Sequence, residues 1–213
     1  MNPADYDAWY RTPRGRWIGE TEYALAARLL AARPGETLLD VGCGTGWFTR
    51  RAVADGLAVT GLDPDPAWLA YARARSHPDL NWVQGDARAL PFADASFDHV
   101  LSIAALCFVD DARGAVAEIV RVARRGFAVG WLNRTSLLYL EKGRDGGSGA
   151  YRGARWHSAR EVRALFAGLP VRNLKLRSAI FVPSGTRGSR WLEQAAPAAL
   201  PWGGMLMLHG EKD

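Results

Sequence analysis

The strongest constraint on how this chain can fold is the stretch Thr37-Leu38-Leu39-Asp40-Val41-Gly42-Cys43-Gly44-Thr45-Gly46, an apolar run that breaks into alternate glycines. A short leucine- and valine-rich segment ending in Gly, followed by the helix-forming Trp47-Phe48-Thr49-Arg50-Arg51-Ala52, reads as strand, tight turn and helix of an α/β unit. Glycines let such a turn adopt positive φ and let a ligand approach the backbone. The following helix aims unpaired N–H groups at the same place. A nucleotide-like ligand is the expectation.

The pattern then repeats. Ala58-Val59-Thr60-Gly61-Leu62-Asp63 reads as a second buried strand ending on a carboxylate, and Asp65 caps a helix that opens on Pro66. Leu80 to Gln84 forms a third strand followed by Gly85-Asp86, and Phe97 to Ile103 a fourth, with a helix from about Ala112 to Ala123 behind it. Phe127 to Leu132 is the fifth strand, leading to Asn133-Arg134 and a short helical run through Tyr139. Alternation of this kind predicts a parallel sheet with helices on both faces. The glycines at 143, 146, 147 and 149 mark a mobile connection, and Ser158-Ala159-Arg160-Glu161 is a capping box opening a helix. Two late strands are expected, Val171 to Val182 and Met205 to Leu208, with a helical turn at Arg190 to Gln194 between them.

Upstream, a helix is expected from about Glu20 to Ala32, with Ile18, Leu25 and Leu29 on one face. The segment before it, Tyr6 to Trp17, is richer in aromatics than an exposed tail requires and is expected to fold over something.

Composition bounds the function. A chain of 213 residues suits one domain, burying roughly 70% of its unfolded surface. The net charge of +5 raises nucleic acid as a partner. Lysine occurs only at 142, 175 and 212, however, and the arginines are dispersed, as at Arg14, Arg28, Arg50, Arg124 and Arg160. That favours general surface charge over a nucleic-acid face. Cys43 and Cys107 form no framework and no metal-ligand spacing, so both are expected to be reduced thiols. With no membrane-span pattern and no signal-peptide pattern in the sequence, the expected location is the cytoplasm.

Open α/β sheets bind ligands at the carboxyl ends of their strands, where Asp40, Asp63 and Asp86 fall. Asp63 lies where a nucleoside ligand puts its ribose, roughly twenty residues beyond the turn. A dinucleotide fingerprint wants its third glycine after two intervening residues; here it is Gly46 and position 47 is Trp, which weakens a dinucleotide reading.

Leu39 to Gly46 resembles the first motif of class I S-adenosylmethionine-dependent methyltransferases. Val59-Thr60-Gly61-Leu62-Asp63-Pro64 resembles the second and Gln84-Gly85-Asp86-Ala87 the third, while Leu90-Pro91-Phe92 with Ser96 to Val100 resembles the run through strand four. The resemblance covers about residues 36 to 132, and the pattern is similar to the small-molecule, ubiquinone/menaquinone methyltransferase-like group. It implies a Rossmann-like, seven-stranded, mostly parallel sheet with the last strand antiparallel. Residues 1–35 would form an N-terminal lid and helix, 36–132 the cofactor-binding core, and 133–213 an acceptor-side insert and the final strands.

The resemblance also implies roles. Gly42, Cys43, Gly44 and Gly46 would approach the methionine portion of S-adenosylmethionine, with Asp40 orienting their loop. Asp63 would take the ribose, Pro64 and Asp65 would border the adenine, and Asp86 would accept its amino group beside the backbone of Ala87. Ile103 and Ala104 would close the pocket, and S-adenosylhomocysteine would be the product. The family often carries histidine after strand four, where this chain has Leu106-Cys107-Phe108, so substrate chemistry does not carry over. Nothing charged lies beside Cys107 in sequence to activate a thiolate, and it reads as packing.

Methyl transfer from a sulfonium mainly requires an acceptor held in line. His157 is the candidate base if one is needed, whereas His99 sits within a strand and reads as structural. Candidates for the acceptor pocket are Tyr6, Trp9, Tyr10, Trp131, Asn133, Arg134, Tyr151 and Trp156, a set suited to a small or medium-sized, partly apolar acceptor. Two other classes stay open at this point: a cofactor-binding, non-catalytic partner subunit and an RNA-modifying methyltransferase. The acceptor and the oligomeric state are not given by the sequence.

Overall fold

A computed structural model describes residues 1–213. Its seven strands are β1 (Thr37–Val41), β2 (Ala58–Asp63), β3 (Asn81–Gln84), β4 (Phe97–Ile103), β5 (Ala123–Leu132), β6 (Val171–Ala179) and β7 (Met205–Lys212). They form one sheet in the order β3-β2-β1-β4-β5-β7-β6. β1 to β5 pair in parallel, and β7 lies antiparallel to both β5 and β6. The chain order reverses where β1 meets β4, and ligands in sheets of this kind sit outside the carboxyl ends at such a point.

Eight α-helices flank the sheet: α1 (Pro3–Arg11), α2 (Pro13–Leu30), α3 (Trp47–Ala54), α4 (Pro66–Ala74), α5 (Ala112–Val122), α6 (Leu137–Lys142), α7 (Ala159–Leu165) and α8 (Arg187–Ala195). Two apolar cores follow from the pleat, because successive strand residues face opposite sides. On one face Leu39, Val41, Val100, Phe127, Val129 and Leu208 meet Ile119 of α5 and Phe166. On the other, Leu38, Leu101, Ile103, Ala128 and Met207 meet Ile18, Leu25 and Ala26 of α2 and Phe48 of α3. No helix is long and apolar enough to cross a membrane.

Several boundaries differ from the sequence reading. The aromatic N-terminus is itself helical: Asn2 caps α1, and Thr12 caps α2 with Pro13 in its first turn, so α2 starts at Pro13 instead of near Glu20. The helix tolerates Gly15 and Gly19 because Trp9 and Tyr10 of α1 pack directly against them, leaving no room for a Cβ. β5 starts at Ala123, β7 runs on to Lys212, β6 ends at Ala179, and the expected helical turn is the longer α8. The glycine-rich connection contains two single 3₁₀ turns, Arg144–Gly146 and Gly149–Tyr151.

Candidate cofactor and acceptor site

The glycine turn leaves β1 at the reversal point and enters α3. Gly42 and Gly46 have φ of +73° and +75°, in the left-handed region that favours glycine. Added side-chain carbon would also collide, with the Ala105 side chain at Gly42 and with the Trp82 ring, 2.5 Å away, at Gly46. Space around these two glycines is therefore taken by the protein. Gly44 differs: a Cβ there would meet only the Trp68 ring, at an ordinary 3.4 Å.

Two carboxylates hold the turn from beneath. Asp63, at the end of β2, accepts the Gly44 N–H at 2.9 Å on one oxygen and the Asp65 N–H at 3.0 Å on the other. Burial raises its pKa, and those two backbone N–H groups oppose the shift. Each oxygen keeps a second lone pair for a hydroxyl donor. Asp40, at the end of β1, accepts the Thr49 hydroxyl at 2.6 Å and so ties the strand to α3 across the turn. It is 2% exposed, and burial pushes its pKa up to about 7.

Seven of the eight helices begin with a side-chain cap, from Asn2, Thr12, Asp65, Asp111, Ser136, Ser158 and Thr186; α3 alone has none. Its first-turn N–H groups face the turn without a side-chain acceptor, a donor set suited to a carboxylate-bearing ligand. The residues present thus fit a nucleoside that also carries an amino-acid group.

Asp65 caps α4 through the Ala67 N–H, and Pro64 receives the Gln84 amide on its carbonyl. Asp86 lies just beyond β3, held by a bidentate Arg88 pair with contacts down to 2.6 Å, which keeps its carboxyl below the usual range. Ala87 is buried next to it. Ile103 ends β4, and Ala104 follows with its N–H on the Gly130 carbonyl. Cys43 and Cys107 are both buried free thiols whose pKa burial raises, that of Cys107 to about 12. The Cys107 sulfur accepts the Leu132 N–H at 3.3 Å, which is a packing role.

The expected acceptor residues separate into two groups. Tyr6, Trp9 and Tyr10 come together on α1, against the turn: Tyr10 stacks on Trp47 at 4.6 Å, and Tyr6 meets Trp68 edge-on at 5.2 Å. Asp7 pairs with Arg50 at 3.3 Å, and Arg50 also donates to the Thr45 carbonyl, so α1 is clasped to the turn. Tyr151 joins this group, within electrostatic reach of Tyr10 and of Glu22 on α2.

The others are placed elsewhere. Trp131 is fully buried in the core and packs on His157 at 4.9 Å. Asn133 is fully buried, with its amide donating to the Pro201 and Gly203 carbonyls and its oxygen taken by Thr135, so it fastens two loops. Arg134 is exposed and pairs with Glu161 at 2.9 Å. Trp156 is buried between Tyr139 and Tyr151. His157 has its pKa lowered by burial and stands beside Trp131 and the start of α7, bridged to Asn133 at the end of β5. His99, as expected, is buried within β4, where its ring meets Glu36 at 2.9 Å.

Two residues escaped the sequence reading. Trp68 lies over Gly44, and its signal was a large aromatic in the first turn of the helix that Asp65 caps. Glu22 is buried on α2, and its signal was its helical spacing from Ile18 and Leu25 on the apolar face.

Strand order, switch point and glycine turn together define the class I methyltransferase architecture. Residues 39–129 match the methyltransferase domain family. The fold is shared with a solved S-adenosylmethionine-dependent methyltransferase of Thermotoga maritima, a possible histamine N-methyltransferase. The TM-score is 0.74 at 24% identity, over 99% of this chain and 96% of that one. A protein of Mycobacterium tuberculosis without an assigned function is 38% identical over 192 residues, which cover 85% of this chain and 62% of that protein. Demethylmenaquinone methyltransferase of Beutenbergia cavernae is 42% identical over 97 residues, 46% of this chain and 40% of the enzyme. The chain therefore spans less than two thirds of these two relatives. The expected fold class and family are borne out.

Proposed function

We propose that the chain transfers a methyl group from S-adenosylmethionine to a small or medium-sized, partly apolar acceptor by in-line displacement. The observation that carries this reading is the uncapped start of α3 facing a glycine turn that Asp63 and Asp40 hold from beneath. Asp63 would take the ribose hydroxyls on its two free lone pairs. The first-turn N–H groups of α3 would take the methionine carboxylate, and Asp40 would favour the nearby positive charge. Asp86 would receive the adenine amino group, with Pro64, Asp65, Ala87 and Trp68 bordering the ring. Ile103 and Ala104 would close the pocket beside the transferring methyl, and the α1 aromatics would exclude water from it.

When bound, S-adenosylmethionine supplies an activated methyl group on a sulfonium; the chain's share is to hold the acceptor in line with it. Such orientation contributes up to about 7–11 kcal/mol. Part of the basic surface is already engaged within the chain, where Arg14, Arg50, Arg88, Arg121 and Arg134 each meet a carboxylate.

Calorimetric titration with S-adenosylmethionine tests the cofactor half of the proposal. Asp63→Ala removes hydrogen bonds to a charged group, a loss of about 1.5–3 kcal/mol, and affinity is expected to fall roughly ten- to a hundredfold. Unchanged affinity would overturn the ribose assignment.

A further inference from the structure

Glu22 is the buried side chain that the cofactor reading does not use. It is 9% exposed, yet its carboxylate forms neither a hydrogen bond nor an ion pair, and no basic group stands beside it. Its oxygens are not fully sealed from solvent, so they border a space that water can reach. Burying a carboxyl without a partner destabilises a fold. Packing therefore offers no reason for a glutamate here, where leucine would serve.

Its position is specific. Glu22 lies one helical turn beyond Gly19, which abuts Tyr10 and Trp47, the first residue after the glycine turn. The neighbouring Ile18 and Leu25 share their core with Ile103, the last residue of β4. The titratable groups within electrostatic reach of the carboxyl are Tyr6 and Tyr10 on α1, whose hydroxyls lie 3.3 Å apart, and Tyr151 of the second 3₁₀ turn. Beyond Tyr151 stand Arg14 and Glu141, paired with each other at 3.2 Å. A buried carboxylate with no cation of its own complements a donor or a cation and repels an anion.

We infer that Glu22 receives the proton-bearing group of the acceptor, an amine or a hydroxyl, and takes up its proton as that atom is methylated. The inference rests on the proposed cofactor site. In the step, the N–H or O–H proton passes to the Glu22 carboxylate. The acceptor lone pair forms the bond to the methyl carbon, and the carbon–sulfur bond breaks with its electron pair left on sulfur. Glu22 then returns the proton to solvent. Burial alone pushes the Glu22 pKa up to about 8, close to the operating range of a general base. The raised pKa of Tyr10 and Tyr6 keeps both phenols protonated, as donors around the same space.

The test uses the full chain, S-adenosylmethionine labelled in its methyl group, and a small-metabolite extract. The label is expected on an amine nitrogen or as an ether oxygen. Glu22→Gln should slow its appearance on the order of a hundredfold, the lower range for losing a general base, while S-adenosylmethionine affinity by calorimetry stays within about twofold. At saturating S-adenosylmethionine, wild-type transfer should rise roughly fiftyfold between pH 6 and 8, as a base with a pKa of about 8 ionises, and the Gln variant should lose that rise. In the ligand-free chain, Glu22→Gln should melt at or above the wild-type temperature; Glu22→Asp, which keeps the charge but draws it back, should give an intermediate rate. Wild-type transfer rates in Glu22→Gln, label found only in methyl esters of carboxylic acids, or a wild-type chain that binds the cofactor and labels nothing would each overturn the assignment. Failure of the wild-type chain to bind S-adenosylmethionine would instead overturn the cofactor reading.

Discussion

The glycine turn and the helical cover above it treat buried charge in opposite ways. Around the turn, Asp63 is met by two backbone N–H groups and Asp40 by a threonine hydroxyl. In the cover, Glu22 is met by nothing that donates to it. A carboxylate already held by the backbone can bind a ligand without rearranging, whereas a bare one leaves its hydrogen bonds for the ligand to supply. On the proposed reading, the cofactor half of the site would be preorganised and the acceptor half completed by its guest.

This contrast can be broken from the turn side first. Gly42→Ala sets a Cβ against Ala105 at a positive φ, combining overpacking with backbone strain. The expected loss of stability is about 2–5 kcal/mol, measured by urea unfolding. A loss below that range would mean the turn can deform and is less fixed than described.

A smaller effect is expected from pH. Binding of a positively charged cofactor favours ionised Asp40, so affinity should tighten as pH rises through about 7. Between pH 6 and 8 one such ionisation gives roughly a tenfold change, and Asp40→Asn should flatten it in calorimetric titrations.

Stability should run the other way. Both Asp40 and Glu22 have folded pKa values above their ordinary ones, so between the two values the folded state keeps a proton that the unfolded chain has lost. The stability of the ligand-free chain should therefore fall as pH rises, from about 4 toward 7 for Asp40 and toward 8 for Glu22. Thermal melts of Glu22→Gln should show a shallower slope.

The smallest effect belongs to the clasp. Asp7→Asn removes the charge of a largely buried ion pair but leaves Arg50 a hydrogen-bond acceptor, a loss of about 1 kcal/mol, so cofactor affinity should drop roughly two- to fivefold. A larger drop would make α1 part of the preorganised half.

The turn half was legible in the sequence because its chemistry is local. Asp40, the glycines, Asp63 and Asp86 lie at strand ends that hydrophobic runs mark, and each run is followed by a recognisable cap or turn. The cover was less legible because long-range packing decides it. Gly15 and Gly19 look like helix breaks until Trp9 and Tyr10 are seen filling the space beside them, which is why α2 was expected to begin seven residues too late, at Glu20 instead of Pro13. Trp131, Asn133 and Arg134 read as pocket residues since they lie around the end of a strand, but their side chains serve the core, two loops and the surface. Glu22 was invisible as a site because glutamate on a helix usually faces solvent.

The clasp also says how the turn is reached from outside. Tyr6 on Trp68 and Asp7 on Arg50 are contacts of a nine-residue helix at the start of the chain, and they cover the turn without being woven into the sheet. Detachment of α1 costs less than unfolding the sheet, and it uncovers the outer side of the turn. Hydrogen exchange at Thr45 should then follow the opening of α1, not global unfolding, and on the proposed reading the same opening would set how quickly a spent cofactor leaves.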